Sequence, residues 1–505
     1  MNALRYICLS DLHLGAPESL FTQVDDQGLP DHAACSDALK TFGALLREYV
    51  ASMTGDGPPP QLILLGDVLD MGLSPVGDTA AAYERFIEVL FPPGPGAVFS
   101  RHVLCVPGNH DHLLWSMAKQ DHFQQQLKRH YGELPEDDAC DRGLPQFMPV
   151  TPLFADNKKS LAPCELLTTI TRARTDCPEA RVDMAYPNMG LFDASSGRCV
   201  LLHHGHYTDP TYRAMSVVNS AVSGVPSMPP NVAQLERQNG PWIDFLWSDL
   251  GDAGVSGRSA NTLYEVMNDA YAARLYCRRF ASAALQRLRT VANVDPSLPV
   301  LDGITLGQVL HGLFDVTAAR GAESSRDGDM QLMSRSAMAQ LHAYMSGPLL
   351  EQLRASPPLG AVKETAFIFG HTHKPFQREL CVDGFERPVC VYNTGGWVMD
   401  QPCTAPPLGA SAVFIDKDLH VASLRLFNNP VNGDVGQVRV EGTQGFSDPR
   451  NPLLETMTLA LEPMADQWAK FSQVVKEAIE SRAAWQAQRF ESLDRAALLY
   501  KEIAS

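Results

Sequence analysis

The chain has 505 residues, with 58 acidic against 41 basic side chains and a formal net charge of −17. This length exceeds one ordinary domain, and an apolar content of 45% is typical of a globular protein. The acidic balance argues against a nucleic-acid groove, which needs a basic surface over the phosphates. We find no segment with the uninterrupted apolar length of a membrane helix, and we expect no signal peptide.

Short apolar runs alternate with helical periodicity along the chain. The runs predict strands at 5–10, 62–65, 103–106, 199–202, 366–369 and 389–393, and a hairpin at 411–427. The periodicity predicts helices at 36–53, 80–90 and 112–131. Continuous apolar strands separated by helices predict an α/β fold with layers on both faces of a sheet.

Five short segments carry most of the metal-competent side chains. Eight of the fifteen histidines lie in or directly beside them. The segments are Asp-Leu-His at 11–13, Gly-Asp-Val-Leu-Asp at 66–70, Gly-Asn-His-Asp at 108–111, His-His-Gly-His at 203–206 and Gly-His-Thr-His at 370–373. Most follow a predicted strand, and ligands bind at the carboxyl ends of strands in open α/β sheets. Carboxylate, imidazole and amide donors suit borderline divalent metals.

Two cations about 3.5–4 Å apart can clamp the attacking and leaving oxygens of a phosphoryl displacement. Such a pair also lowers the pKa of a shared water, so that hydroxide is available near neutral pH. It needs one carboxylate that bridges both ions and separate terminal ligands on each side. The mixture of side chains in the five segments meets this need.

The ordered set Asp-x-His, GDxxD, GNHD, a His-Gly segment and GHxH resembles the calcineurin-like metallophosphoesterases. The resemblance implies a four-layer α-β-β-α sandwich and two divalent metal ions. Mn²⁺ is the expected ion, with Fe, Zn, Ni, Co and Mg left open. By the same resemblance, the first metal would be held by Asp11, His13, Asp67 and His373. Asp67 would bridge to a second metal, completed by Asn109, His204 and His371.

The resemblance also implies roles around the metals. His110 would act as general acid or charge stabiliser at the leaving-group oxygen, with Asp70 orienting its ring. His203, His204 and His206 compete for the second-metal position, and His204 is chosen because a histidine directly before glycine is the family habit. His206 is expected near the metals or the phosphate, and Arg213 is a candidate for phosphate or carboxylate recognition.

The rest of the chain is expected to decorate this core. We predict the core at 1–206, with an insertion around 132–197, and again at 361–430. Between them, 207–360 is predicted to form a helical cap over the metals, with helices at 261–291, 304–318 and 330–353. Residues 431–505 are predicted to be a helical extension, amphipathic over 463–503, that docks on the core or self-associates.

The leading prediction is a metal-dependent phosphoester hydrolase that uses a bridging hydroxide for in-line attack on a small or medium-sized organic phosphate. Mono- versus diesterase activity and the oligomeric state stay open. Met71-Gly72 replaces the Arg-Gly of protein Ser/Thr phosphatases and GNHD replaces their GNHE, which argues against that class. A nucleotide-sugar lipid pyrophosphatase with peripheral membrane contact, a nuclease and a catalytically silent scaffold are the alternatives. Eleven cysteines without a Cys-x-x-Cys pair favour a reducing cytoplasm.

Overall fold

The structure is a computed structural model. It describes residues 3–26, 28–55, 57–72, 74–92, 97–133, 146–154, 161–208, 229–244, 331–356, 361–399, 407–428, 435–443 and 451–503, together with isolated positions between 212 and 220 and between 295 and 305.

Two large sheets form the centre of the fold. Strands β1 to β9 are Leu4–Leu9, Thr22–Val24, Pro30–Cys35, Gln61–Leu64, His102–Cys105, Ala162–Pro163, Arg181–Met184, Asn188–Asp193 and Arg198–His203. Strands β10 to β17 are Pro299–Leu301, Ile304–Thr305, Glu364–Phe369, Phe376–Leu380, Val389–Asn393, Gly409–Asp416, Val421–Asn428 and Arg439–Glu441. The first sheet has the order β17-β16-β15-β1-β4-β5-β7-β6, and the second has the order β13-β14-β12-β9-β8.

Helices cover the outer face of each sheet. Helices α1 to α5 are Asp37–Thr54, Val76–Leu90, His112–His130, Glu165–Thr175 and Val232–Ile243. Helices α6 to α9 are Arg335–Tyr344, Leu350–Arg354, Pro452–Leu461 and Ala465–Ile503. A π-helical turn, Met345–Leu349, joins α6 to α7. Ser36 caps α1 by accepting a hydrogen bond from the backbone N–H of Leu39, as a serine before an amphipathic run should.

The core consists of three hydrophobic clusters: one between each sheet and its helices, and one between the two sheets. In β1, Ile7 and Leu9 pack under the helices of the first sheet, while Tyr6 and Cys8 face the second sheet. In β12, Phe367 packs outward on the second helical layer and Ile368 packs between the sheets. Alternate side chains of a strand point to opposite faces, so both sheets are buried on both sides. The predicted four-layer α-β-β-α sandwich is confirmed.

The expected insertion around 132–197 is corrected for its second half. Strand β7 pairs in parallel with β5 in the first sheet, and β8 pairs with β9 in the second. Helix α4 contributes Leu167 to the core cluster of the first sheet. Residues 162–193 are therefore part of the sandwich. The strands in this range are short and partly polar, so the sequence has no continuous apolar run there that would predict them.

The ends of the predicted cap are also corrected. Helices α5, α6 and α7 pack on the outer face of the second sheet, so they supply its helical layer. Ile304 and Thr305 pair as β11 with β10 and do not begin a helix. The predicted helix at 261–291 and the remainder of the helix at 304–318 lie outside the described residues. The predicted helix at 330–353 corresponds to α6, the π-helical turn and most of α7.

The described residues include no helix that is both long enough and apolar enough to span a membrane.

Candidate metal centre

The predicted ligands meet at one edge of the sandwich. Strands β1, β4 and β5 run parallel in the first sheet, and β9, β12 and β14 run parallel in the second. Asp11 follows β1, Asp67 follows β4, and His204 follows β9 directly. Because the two sheets are stacked, the carboxyl ends of these strands open onto a shared crevice, where the five segments converge.

Five of the seven predicted ligands have left-handed backbone. The φ angles are 51° for Asp11, 47° for His13, 50° for Asp67, 68° for His371 and 53° for His373. Such backbone costs on the order of 1–3 kcal/mol for each non-glycine residue and persists only when its surroundings hold it. Backbone hydrogen bonds hold it here: Asp11 N donates to Gly66 O, and His13 N donates to Asp67 O, both at 2.9 Å.

One side of the crevice brings together Asp11, His13 and His373. Each offers one ligand atom, and these atoms lie within 4.8 Å of one another. His373 Nε2 lies 3.4 Å from Asp11 Oδ1, and His13 Nε2 lies 3.8 Å from Asp67 Oδ2. Asp67 thus adjoins the set expected to hold the first metal.

The other side brings together Asp67, His204 and His371, again with ligand atoms within 4.8 Å. His204 Nε2 lies 3.1 Å from Asp67 Oδ2 and 3.2 Å from Asn109 Oδ1. His204 Nδ1 donates to the carbonyl of Leu65 at 3.1 Å, which turns Nε2 toward the carboxylate. Asp67 lies between the two sets, as a bridging ligand must.

The donor atoms fit two divalent cations. His13 Nε2 is buried and makes no hydrogen bond, although its Nδ1 donates to Asp70 Oδ2 at 2.8 Å. This is the arrangement of a metal-binding histidine whose other nitrogen is fixed by a carboxylate. Glycines allow the close approach of the segments: a Cβ on Gly370 would lie 2.1 Å from Asp11 Oδ2, and one on Gly66 would lie 2.3 Å from His204 Nδ1.

The charges of the crevice favour bound cations. Burial opposes ionisation of Asp67, yet His204, His110 and His13 hold the pKa of this carboxyl well below its ordinary value. Burial also opposes protonation of His204, but Asp67 and Asp11 raise its pKa to about 9. Burial, with His204 beside it, lowers the pKa of His371 to about 3. The proton on His204 thus supplies positive charge beside the carboxylates. Divalent cations bound in the crevice would supply that charge instead.

Residues 4–244 match the family model of the calcineurin-like phosphoesterases. This segment, just under half of the chain, belongs to this family. Membership supports metal-dependent hydrolysis of a phosphoester as its general activity. A solved phosphopantetheinyl hydrolase (PptH) from Mycobacterium tuberculosis is 13% identical, with 78% of this chain and 91% of that chain covered and a TM-score of 0.21. A comparison with curated proteins gave no match.

His110 lies beside the candidate ligands and belongs to neither trio. Its Nδ1 donates to Asp70 Oδ1 at 3.0 Å, and its ring lies 4.7 Å from that of His13. Burial opposes its protonation, but Asp70 and Asp67 raise the pKa of His110 to about 9. The raised pKa favours the imidazolium, the form that can donate a proton. Asp70 accepts from His13 as well as from His110, which the sequence did not indicate.

The remaining candidates lie behind the second trio. Both ring nitrogens of His206 are buried and make no hydrogen bond, and its ring lies 5.8 Å from His204 and 4.8 Å from Tyr212. His203 Nδ1 accepts from Gly205 N at 2.8 Å, so this histidine braces the loop. Arg213 follows Tyr212 and is half-buried.

Sequence reasoning missed the role of Asp111 in the phosphoesterase fold. Its carboxylate accepts from Gly108 N at 2.6 Å, Val68 N at 2.8 Å and Asp67 N at 3.2 Å. It therefore ties the segment of Asn109 to the segment of Asp67. Asp111 is the final residue of the GNHD segment, which was the available signal. From the sequence we interpreted this aspartate only as a difference from the GNHE of protein Ser/Thr phosphatases.

Proposed function

We propose that this protein is a dinuclear metal phosphoesterase that hydrolyses a small or medium-sized organic phosphate. The observation that carries the proposal is the pair of ligand trios on either side of Asp67. Divalent cations bound there would neutralise phosphate charge and supply a nucleophile near neutral pH. Seven residues would hold them: Asp11, His13, Asp67, Asn109, His204, His371 and His373.

The other residues would act on the substrate. His110 would place its imidazolium at the leaving-group oxygen and give up a proton there, with Asp70 holding its ring. His206 is proposed as a phosphate contact because its buried nitrogens have no other hydrogen-bond partner beside the second trio. Arg213 is proposed to meet an anionic substrate group at the entrance, as guanidinium suits such groups.

The bridging role of Asp67 gives the first prediction. Asp67→Asn should lose paired metal occupancy and most activity, because a neutral amide cannot balance two cations. Metal content by elemental analysis and hydrolysis of nitrophenyl mono- and diesters, after chelation and reloading with Mn²⁺, measure both effects.

Asp416→Asn is a matched control. Asp416 is also buried beside a histidine, with His420 Nδ1 donating to it at 2.9 Å. It pairs with Leu4 at the start of β1, whereas Asp11 follows the end of β1. That strand of six residues separates the two sites by roughly 15–20 Å. Because Asp416, Asp418 and His420 could hold an ion of their own, the control is judged by the coupled ion pair of the crevice and by turnover, and it should keep both. If Asp67→Asn kept two ions per chain and full turnover, the proposal would be wrong.

A further inference from the structure

The buried face of the C-terminal helix α9 changes character along its length. Trp468, Phe471, Val475 and Ile479 are buried at helical spacing and join the core cluster that contains α1. The next two positions on the same stripe are Arg482 and Gln486, and both are only 5% exposed. Arginine and glutamine are seldom buried without polar partners. We therefore expect polar groups of the core to lie against these two turns of α9 and to bind the side chains of Arg482 and Gln486.

Arg482 binds the loop that follows the Asp11–His13 segment. Its Nη2 donates to Ser19 O at 2.6 Å and to Thr22 O at 2.7 Å, and its Nε donates to Pro17 O at 3.1 Å. One guanidinium thus gathers three carbonyls of a single loop. Burial lowers the pKa of Arg482 to about 10, which reflects the cost of removing this cation from water. A well-packed apolar residue would avoid that cost.

The loop is in turn bonded to the ligand segment. Ser19 Oγ donates to the carbonyl of Leu12 at 2.6 Å, and Leu12 lies between the ligands Asp11 and His13. Ala16 N donates to His13 O at 3.1 Å. One residue, Ser19, therefore connects the guanidinium of Arg482 to the backbone of the predicted first-metal ligands.

Gln486 reaches the same ligands by a second route. Its Nε2 donates to Met399 O at 2.5 Å, and Met399 N donates to Glu18 O at 3.0 Å. The backbone N–H of Trp397, two residues before Met399, donates to Asp11 O at 2.9 Å. Asp11 and His13 have left-handed backbone, which persists only where surrounding contacts hold it. Both routes supply such contacts.

We propose that Arg482 is a positioning residue for the first metal site, and that α9 fixes the left-handed backbone of Asp11 and His13 through the loop at 16–22. The inference rests on the two-metal function proposed above. It gives the C-terminal helix α9 a role in supporting the first metal site and not the second. The terminal ligands of the second site, Asn109, His204 and His371, follow other strands and have no described hydrogen bond to α9 or to this loop.

The test measures each site separately with Mn²⁺ as the probe. Arg482→Met keeps the apolar stem and removes the three bonds donated to the loop, together with the bond from Nη1 to Ala478 O within α9. Equilibrium dialysis should show one ion bound as in the wild type and the other weakened by about 10–100-fold, the range for residues that support metal ligands. Electron paramagnetic resonance at intermediate Mn²⁺ should show isolated ions in place of coupled pairs. Arg482→Lys, which keeps a cation with fewer directed donors, should recover part of the loss.

Two further variants keep the test decisive. Ser19→Ala removes the bond to Leu12 without changing α9, and it should weaken the same ion if Arg482→Met fails to fold. Arg101→Met is the matched control, because Arg101 donates to Phe91 O and Pro92 O, both at 3.1 Å, just before β5. That position is at the end of the strand opposite the metal edge, so metal binding should be unchanged.

The outcomes separate the inference from the function on which it rests. Wild-type affinity for both ions in Arg482→Met or, where that variant does not fold, in Ser19→Ala would overturn the positioning role. Equal weakening of both ions would do the same, since it would indicate general loosening of the fold. A wild-type chain that binds fewer than two ions would overturn the proposed function itself, and the inference with it.

Discussion

One carboxylate, Asp70, serves two histidines that are proposed to do different work. Asp70 Oδ2 accepts from His13 Nδ1 at 2.8 Å, and its Oδ1 accepts from His110 Nδ1 at 3.0 Å. Both rings therefore present Nε2 toward the crevice. For His13 this nitrogen would bind a metal, and for His110 it would meet the leaving group. The two roles can be separated by mutation.

His110→Ala should keep both metals and lower kcat by roughly 10²–10⁴, the range for general acid–base groups. A nitrophenyl ester should be affected less than an alkyl ester, because nitrophenolate leaves without a proton. Steady-state kinetics on both esters and metal analysis check this.

Asp70→Asn provides the comparison for His110→Ala. It should weaken metal binding as well as kcat, since it loosens His13 too. An equal loss on good and poor leaving groups in His110→Ala, or loss of metal, would count against the acid role.

At this scale, the motifs indicated candidate ligands but not the residues that support them. The seven candidates were named from the resemblance of the five segments to a family, and they stay predictions. Asp111 accepts from three backbone N–H groups, and a carboxylate with that task looks like any other in the sequence. Arg482 was hidden in the same way, because the three loop carbonyls that it binds lie 460 or more positions away along the chain.

Elements were predicted well where apolar runs were long. Helix α3 begins at His112, where the periodicity began, and ends one residue before the predicted boundary. Helix α8 lies in the predicted helical extension, but its bounds were not predicted, although Asn451 caps it and proline follows the cap. Helix α5 also escaped prediction, and it contains a buried acid. Glu236 accepts from the hydroxyls of Tyr186 and Tyr212, so it anchors this helix to the core.

Glu236→Ala should lower the free energy of unfolding by about 2–5 kcal/mol, because it leaves buried hydroxyls without their acceptor. Tyr186 keeps a partner in His112 Nε2 at 2.8 Å, so most of the loss should come from Tyr212. Urea denaturation measures the change. Arg237→Ala, an exposed neighbour on the same helix, should stay within about 0.5 kcal/mol of the wild type. A similar small change in Glu236→Ala would contradict the anchoring role.

On the scale of the whole molecule, the two ends of the stretch at 207–360 have a structural role that the sequence did not separate from the predicted cap. An amphipathic helix indicates that it buries one face, but it does not indicate which surface it covers. Of the twenty buried residues in the described cluster outside the second sheet, ten come from this stretch. They include Leu341, Tyr344 and Leu349, which join Phe367 and Phe369 of β12 in that cluster. The two ends of the stretch are therefore structural.

Two replacements by a Gly/Ser linker test this division. Replacing 207–360 should abolish cooperative folding. Ten buried side chains at roughly 1.5–3 kcal/mol each exceed the total stability of a typical domain, which is about 5–15 kcal/mol. Replacing only 245–330 should leave a folded chain that binds two Mn²⁺ ions. It keeps α5, α6 and all seven ligands, and it removes β10 and β11, which pair only with each other among the described strands. Thermal melts and metal analysis distinguish the two variants.

The shorter replacement also tests the proposed selector. If residues 245–330 choose the substrate, a generic nitrophenyl diester should still be cleaved. The best substrate from a screen should lose kcat together with affinity, because remote binding energy no longer assists the reaction. A folded, metal-loaded variant that keeps the wild-type ranking of substrates would place selection elsewhere, with Arg213 and His206 as the next residues to change.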